Sequence, residues 1–199
     1  MDAVRVSALR ERLTGTGWLE AVGGFAGTLR RSVERRGADG LLLVGTEAYE
    51  PWHLAAHLAD EAAWSAVPRL APTLLRHRPP AGAPAHLAHD LRRLTDAGRG
   101  ATVLVVAPAA ADTPLLERVH DARRHGATVL AVDGAAAPGD LGGLAHERLA
   151  VGTAAEEPFD LAQHLLSAAA AHPAPRRSPL TRLATLAARL TSPPPINRW

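Results

Sequence analysis

The run from Ala101 to Gly134 constrains the fold more than any other part of this chain. Thr102 to Ala107 is continuously apolar and rich in valine, the pattern of a strand buried on both faces. Asp112 or Thr113 then caps a helix, Pro114 suits its first turn, and Leu115, Leu116, Val119 and Ala122 recur at helical spacing. Gly126 ends the helix, and Thr128 to Val132 is a second buried strand. A short helix between two such strands implies a right-handed crossover and a parallel sheet. Ligands of such sheets lie beyond the carboxyl ends of the strands, which puts the loop Pro108–Thr113 in a ligand-facing position.

The remaining elements are arranged around this unit. Residues 2–14 form an amphipathic pattern, and a second helix is expected over Trp18–Arg36, stopped by Gly37. Leu41–Val44 is a short buried strand that runs into Gly45-Thr46-Glu47, and Trp52–Trp64 is the next helix. Trp52 and Trp64 are expected to anchor the core. Val67–Leu75 can hold a strand, Arg76–Pro84 is a proline-rich loop, and His86–Ala97 is expected to be helical. Ala135–Gly143 is a loop, His146–Val151 a strand, and Phe159–Ala171 a helix with Pro158 in its first turn. Helices followed by alternating strands and helices predict a three-layer α/β domain over residues 1–172. Residues 173–199 are a tail rich in proline and arginine with a short helix at Leu180–Leu190, expected to pack on a partner subunit or to stay loosely attached.

Composition narrows the function classes. A chain of 199 residues fits one domain with an extension. The absence of cysteine removes disulfides, thiolate catalysis and zinc–thiolate sites together. All 22 basic residues are arginine, but the formal net charge is only +2, so no nucleic-acid footprint is expected. No run approaches the ~18 apolar residues of a membrane span, and the first residues lack an apolar signal core, so a cytoplasmic protein is expected.

Several segments carry a family resemblance. Leu41–Gly45 resembles the first strand of sugar isomerase (SIS) domains with its terminal glycine; Ala101–Pro108 resembles their third strand and Gly126–Val132 their fourth. Ala110-Ala111-Asp112-Thr113-Pro114 resembles their phosphate loop entering a helix. Gly45-Thr46-Glu47 is also similar to a bacterial branch, the DUF2529 group. The resemblance covers roughly residues 20–171 in element order. It implies an α/β/α sandwich with a mainly parallel five-stranded sheet of flavodoxin-like winding, a sugar-phosphate ligand and a homodimer; no cofactor is expected. The departures are in the phosphate loop. Where the family reads Ser-x-Ser-Gly-x-Thr, this chain has Pro108 and Ala110 at the serines and Ala111 at the glycine, and keeps only Thr113. Backbone N–H groups of Thr113, Leu115 and Leu116 are then the expected remaining donors. Arg69 or Arg76 could take over part of the phosphate grip.

The resulting ligand-binding candidates are Gly45, Thr46, Glu47, Tyr49, Ala110, Asp112 and Thr113. An aldose–ketose isomerase needs a base to move a proton between adjacent carbons and often a histidine to open the ring. Glu47 and His164 are the candidates for those roles, His164 because Gln163-His164 resembles the corresponding helix of phosphoheptose isomerases. His53 and His57 sit at i and i+4 on one helix face, with Glu50 and Glu61 along it. That spacing suits Zn²⁺ but lacks an evident third ligand, and no metal site is assigned. The first reading is a degenerate domain that binds a phosphorylated sugar or related carbohydrate derivative in a regulatory or non-catalytic role; the alternatives are an active isomerase and a dimerisation protein without a small-molecule ligand.

Overall fold

The computed structural model describes residues 17–134, 139–151 and 159–171. The expected helix at 2–14, Pro158 and the tail at 173–199 lie outside them. In chain order the elements are α1 (Trp18–Glu34), β1 (Gly40–Val44), α2 (Trp52–Trp64), β2 (Pro72–Leu75), β3 (Ala101–Ala107), α3 (Thr113–Arg124), β4 (Thr128–Asp133), α4 (Asp140–Leu144), β5 (Glu147–Ala150) and α5 (Phe159–Ala171). The strands form one five-stranded sheet in the order β2-β1-β3-β4-β5, with every neighbouring pair parallel. The fold is therefore α/β with flavodoxin-type winding, as expected from the sequence.

Side-chain alternation along the strands divides the core in two. Leu41, Leu43, Leu104, Val106, Leu130, Val132 and Leu149 pack under α1, α2 and α5. Val44, Val103, Val105, Val129 and Ala131 pack under α3 and α4 on the other face. Every residue of β3 is buried. The β3-α3-β4 unit closes as its sequence implies: Pro114 lies in the first turn of α3, and Leu115, Val119 and Ala122 are its buried line. Gly126, at φ 97°, reverses the chain into β4, while the Ala127 N–H donates to the Ala122 carbonyl at 3.0 Å. On the opposite face, Arg30 of α1 pairs with Glu34 and donates to the Ala171 carbonyl at 2.5 Å, capping the end of α5.

Three expectations need correction. His86–Ala97 is not an α-helix but two single 3₁₀ turns, Ala85–Leu87 and Leu91–Leu94. The intervening backbone is recruited elsewhere: the Arg76 N–H donates to the His89 carbonyl at 2.9 Å, and Asp90 is held extended with its carboxylate accepting from the Arg92 N–H at 2.8 Å. The segment expected to be a loop before Gly143 ends in the short helix α4. Trp52 and Trp64 do not anchor the core; they are 55% and 78% exposed, because α2 buries the line Leu54, Leu58 and Ala62 instead.

One ion pair is sealed within the sheet. Arg148 of β5 donates to both carboxylate oxygens of Asp133 at the end of β4, at 2.6 and 2.9 Å. The side chains are 16% and 6% exposed. Hydrogen bonding to Asp133 raises the Arg148 pKa above its ordinary value; burial opposes this and the carboxylate charge adds to it. Arg148→Met is expected to lower unfolding free energy by about 3 kcal/mol in urea denaturation, since it strands a buried carboxylate, whereas the paired change with Asp133→Leu should recover most of the loss.

Candidate functional site

The site begins where β1 stops. A Cβ at Gly45 would overlap the Tyr49 carbonyl oxygen and crowd the Pro51 ring, so only glycine permits the chain to fold back on itself there. The turn that follows is closed by the Tyr49 N–H donating to the Thr46 carbonyl at 3.1 Å. Tyr49 is then clamped from α5. Its ring meets Phe159 edge-on at 5.8 Å, and its hydroxyl accepts a hydrogen bond from Gln163 Nε2 at 2.6 Å.

The facing wall is the chain leaving β2. His77 Nε2 lies 3.0 Å from the Gly45 carbonyl oxygen. A carbonyl can only accept, so Nε2 carries the proton. Arg76 pairs with Glu50 at 3.0 Å, and Arg78 pairs with Glu47. The two walls enclose a cavity of about 250 Å³, lined by Gly45, Thr46, Glu47, Tyr49 and Glu50 on one side and Leu75, Arg76, His77 and Arg78 on the other. It opens at the carboxyl ends of β1 and β2.

Of the residues singled out from the sequence, Gly45, Thr46, Glu47 and Tyr49 come together here. Ala110, Asp112 and Thr113 do not; they lie around the start of α3, outside the cavity lining, with Ala110 and Thr113 exposed. Asp112 occupies the N-cap position but makes no capping hydrogen bond through its side chain, and its Oδ1 is buried without a hydrogen-bond partner. The expected backbone donors are also reduced. The N–H groups of Leu115 and Leu116 both donate to the Asp112 carbonyl, at 3.2 and 3.1 Å, leaving only that of Thr113. His164 is half-buried on α5 with its ring against His57, centroids 4.0 Å apart, and it does not line the cavity. Glu47 and His164 thus stand in separate settings. The His53 ring lies tilted against Trp52, centroids 3.6 Å apart, so the i, i+4 histidines of α2 face different neighbours. Among the described residues, no group of three or more His, Cys, Asp or Glu is placed to hold a metal ion.

Arg76 joins the cavity, whereas Arg69 sits on an exposed 3₁₀ turn outside its lining. His77 and Arg78 escaped the sequence reading. The signal available was the succession of basic side chains at Arg76, His77 and Arg78 immediately after a short apolar segment.

No protein-family model matches the sequence, and no curated protein matches it. Solved structures do. The sugar isomerase domain of the RpiR transcription factor from Sphaerobacter thermophilus is similar at 17% identity, over 82% of this chain and 84% of that one, with a TM-score of 0.53. The NanR protein of Vibrio vulnificus, solved in complex with ManNAc-6P, is similar at 11% identity, over 96% of this chain and 76% of that one, with a TM-score of 0.52. The fold shared with these structures is that of a sugar isomerase domain. Among the described residues, no helix is long and apolar enough to cross a membrane.

Two substitutions test the first wall. Gly45→Ala is expected to cost about 2–3 kcal/mol of stability, because backbone must move to admit the methyl group. Tyr49→Phe should cost about 1 kcal/mol, the worth of one ordinary hydrogen bond, measured by thermal or urea unfolding.

Proposed function

We propose that this protein is a binding module for a phosphorylated sugar or a related carbohydrate derivative, working without catalysis. The observation that carries the reading is the cavity between the ends of β1 and β2. It places the cations of Arg76 and Arg78 beside the carboxylates of Glu47 and Glu50. Guanidinium groups suit a phosphate, and carboxylates accept from sugar hydroxyls. The fold shared with NanR, solved with ManNAc-6P, supports the same class of ligand.

A non-catalytic role is supported by what an isomerase would need around one substrate, namely a base and a ring-opening acid. Glu47 lines the cavity, but His164 is packed against His57 away from the cavity lining, so no such pair is brought together. The family's serines are also replaced by Pro108 and Ala110. We further propose a cytoplasmic homodimer. The isomerase reading retains one favourable observation, since Glu47 lines the cavity; Glu47→Gln would then abolish turnover. The narrower likeness to the DUF2529 group stands on Gly45-Thr46-Glu47, all three in the cavity wall.

Thermal unfolding against a panel of sugar phosphates, amino-sugar phosphates, nucleotide sugars and inorganic phosphate tests the proposal. A ligand at ~100 times its Kd should add about 2.7 kcal/mol and raise Tm by roughly 2–4 °C. A selective, saturable shift with one sugar phosphate, without isomerisation of that compound, is the expected result. A flat response at millimolar concentrations overturns the reading.

A further inference from the structure

We propose that the anionic group of the ligand is seated by Arg76 and Arg78 at the exit of β2, and that Glu47 and Glu50 are built-in competitors that hold those arginines while the cavity is empty. This rests on the reading of the cavity as the ligand site and adds the location of the anion and the means by which access to it is set. Both ion pairs run from one wall to the other: the acids belong to the turn after β1 and the bases to the chain after β2. With the His77–Gly45 contact they form a clasp across the cavity mouth. The roots of the clasp are fixed on both sides. The Thr46–Tyr49 hydrogen bond holds the acidic wall, and the Arg76 N–H bonded to the His89 carbonyl holds the basic one.

The clasp is weak by construction. The Arg78 and Glu47 side chains are 85% and 55% exposed, and exposed pairs of this kind contribute little; Arg76 and Glu50, at 21% and 40%, form the firmer inner pair. A phosphate offers an arginine a charge-assisted, bidentate partner and can displace a carboxylate from it. The start of α3 offers a poorer seat. Its Leu115 and Leu116 N–H groups are already bonded, and the Asp112 carboxylate beside them repels an anion. A ligand's affinity would thus be set by the difference between two partners of the same arginines.

The experiment titrates the full chain with inorganic phosphate, at ionic strength held constant with sodium chloride, following Tm and calorimetric heat. Circular dichroism checks that each variant is folded. Glu47→Gln combined with Glu50→Gln should tighten phosphate binding by roughly 2- to 30-fold, the range spanned by one exposed and one half-exposed ion pair. Arg76→Gln combined with Arg78→Gln should weaken it by at least about 10-fold. Thr113→Ala should leave it unchanged. Phosphate binding seen only in the double glutamine variant of the acids also supports the clasp. Weaker or unchanged binding in that variant, undiminished binding in the arginine variant, loss with Thr113→Ala, or no response in either the native chain or the Glu47/Glu50 variant each overturns it. The two proposals fail separately. A sugar phosphate that binds independently of Arg76 and Arg78 removes the clasp but keeps the binding module. Phosphate captured by the arginines with no sugar phosphate bound keeps the anion seat and removes the carbohydrate reading.

Discussion

The structure depends on a strand that has no wet side. From Ala101 to Ala107, every side chain of β3 is buried, and the strand pairs with β1 on one edge and β4 on the other. A strand in that position needs cover above and below. The cover comes from α1, α2 and α5 on one face and from α3 and α4 on the other. Parallel strands with helical cover leave their carboxyl ends on a common edge, where only turns cross. The cavity on that edge is a consequence of how the core is buried.

Legibility in the sequence followed the range of the interactions. Burial on both faces of β3 and β4 is written in contiguous apolar residues, and the turns of α3 in Pro114 and Gly126, so that unit was readable almost to the residue. The bounds of α2 were readable too, but which of its residues face inward was not. The apolar line Leu54, Leu58 and Ala62 is sufficient for packing, and the larger Trp52 and Trp64 fall beside it. The segment around His89 has helical composition locally, yet its backbone is taken by Arg76, which no local pattern announces. The site divides in the same way. Gly45 to Tyr49 follow a strand directly and could be found by position. Arg78 gains meaning only from Glu47, thirty-one residues earlier, and a proline-rich stretch hides it.

The region around Asp112 shows the reverse case, a position with ligand-facing topology and few donors. It follows β3 and opens a twelve-residue helix. Serine side chains there would donate to a phosphate; Pro108 and Ala110 cannot. A carboxylate near a helix N-terminus is favourable for the helix and unfavourable for a second anion. Two of the three backbone donors expected there serve the helix itself. That corner therefore offers a ligand few side-chain donors, and basic side chains are concentrated at the exit of β2.

The position of those basic side chains has a mechanical side. β2 is a four-residue strand at the margin of the sheet, bonded to β1 alone. Local opening of a protein is easiest where few ladder bonds must break. The basic lip of the cavity is therefore mounted on a short edge strand and steadied by the Arg76–His89 hydrogen bond, whereas the Gly45–Tyr49 lip is tied through Gln163 and Phe159 to α5. Any give in the cavity walls therefore falls at the margin of the sheet, and the dry centre around β3 is insulated from it.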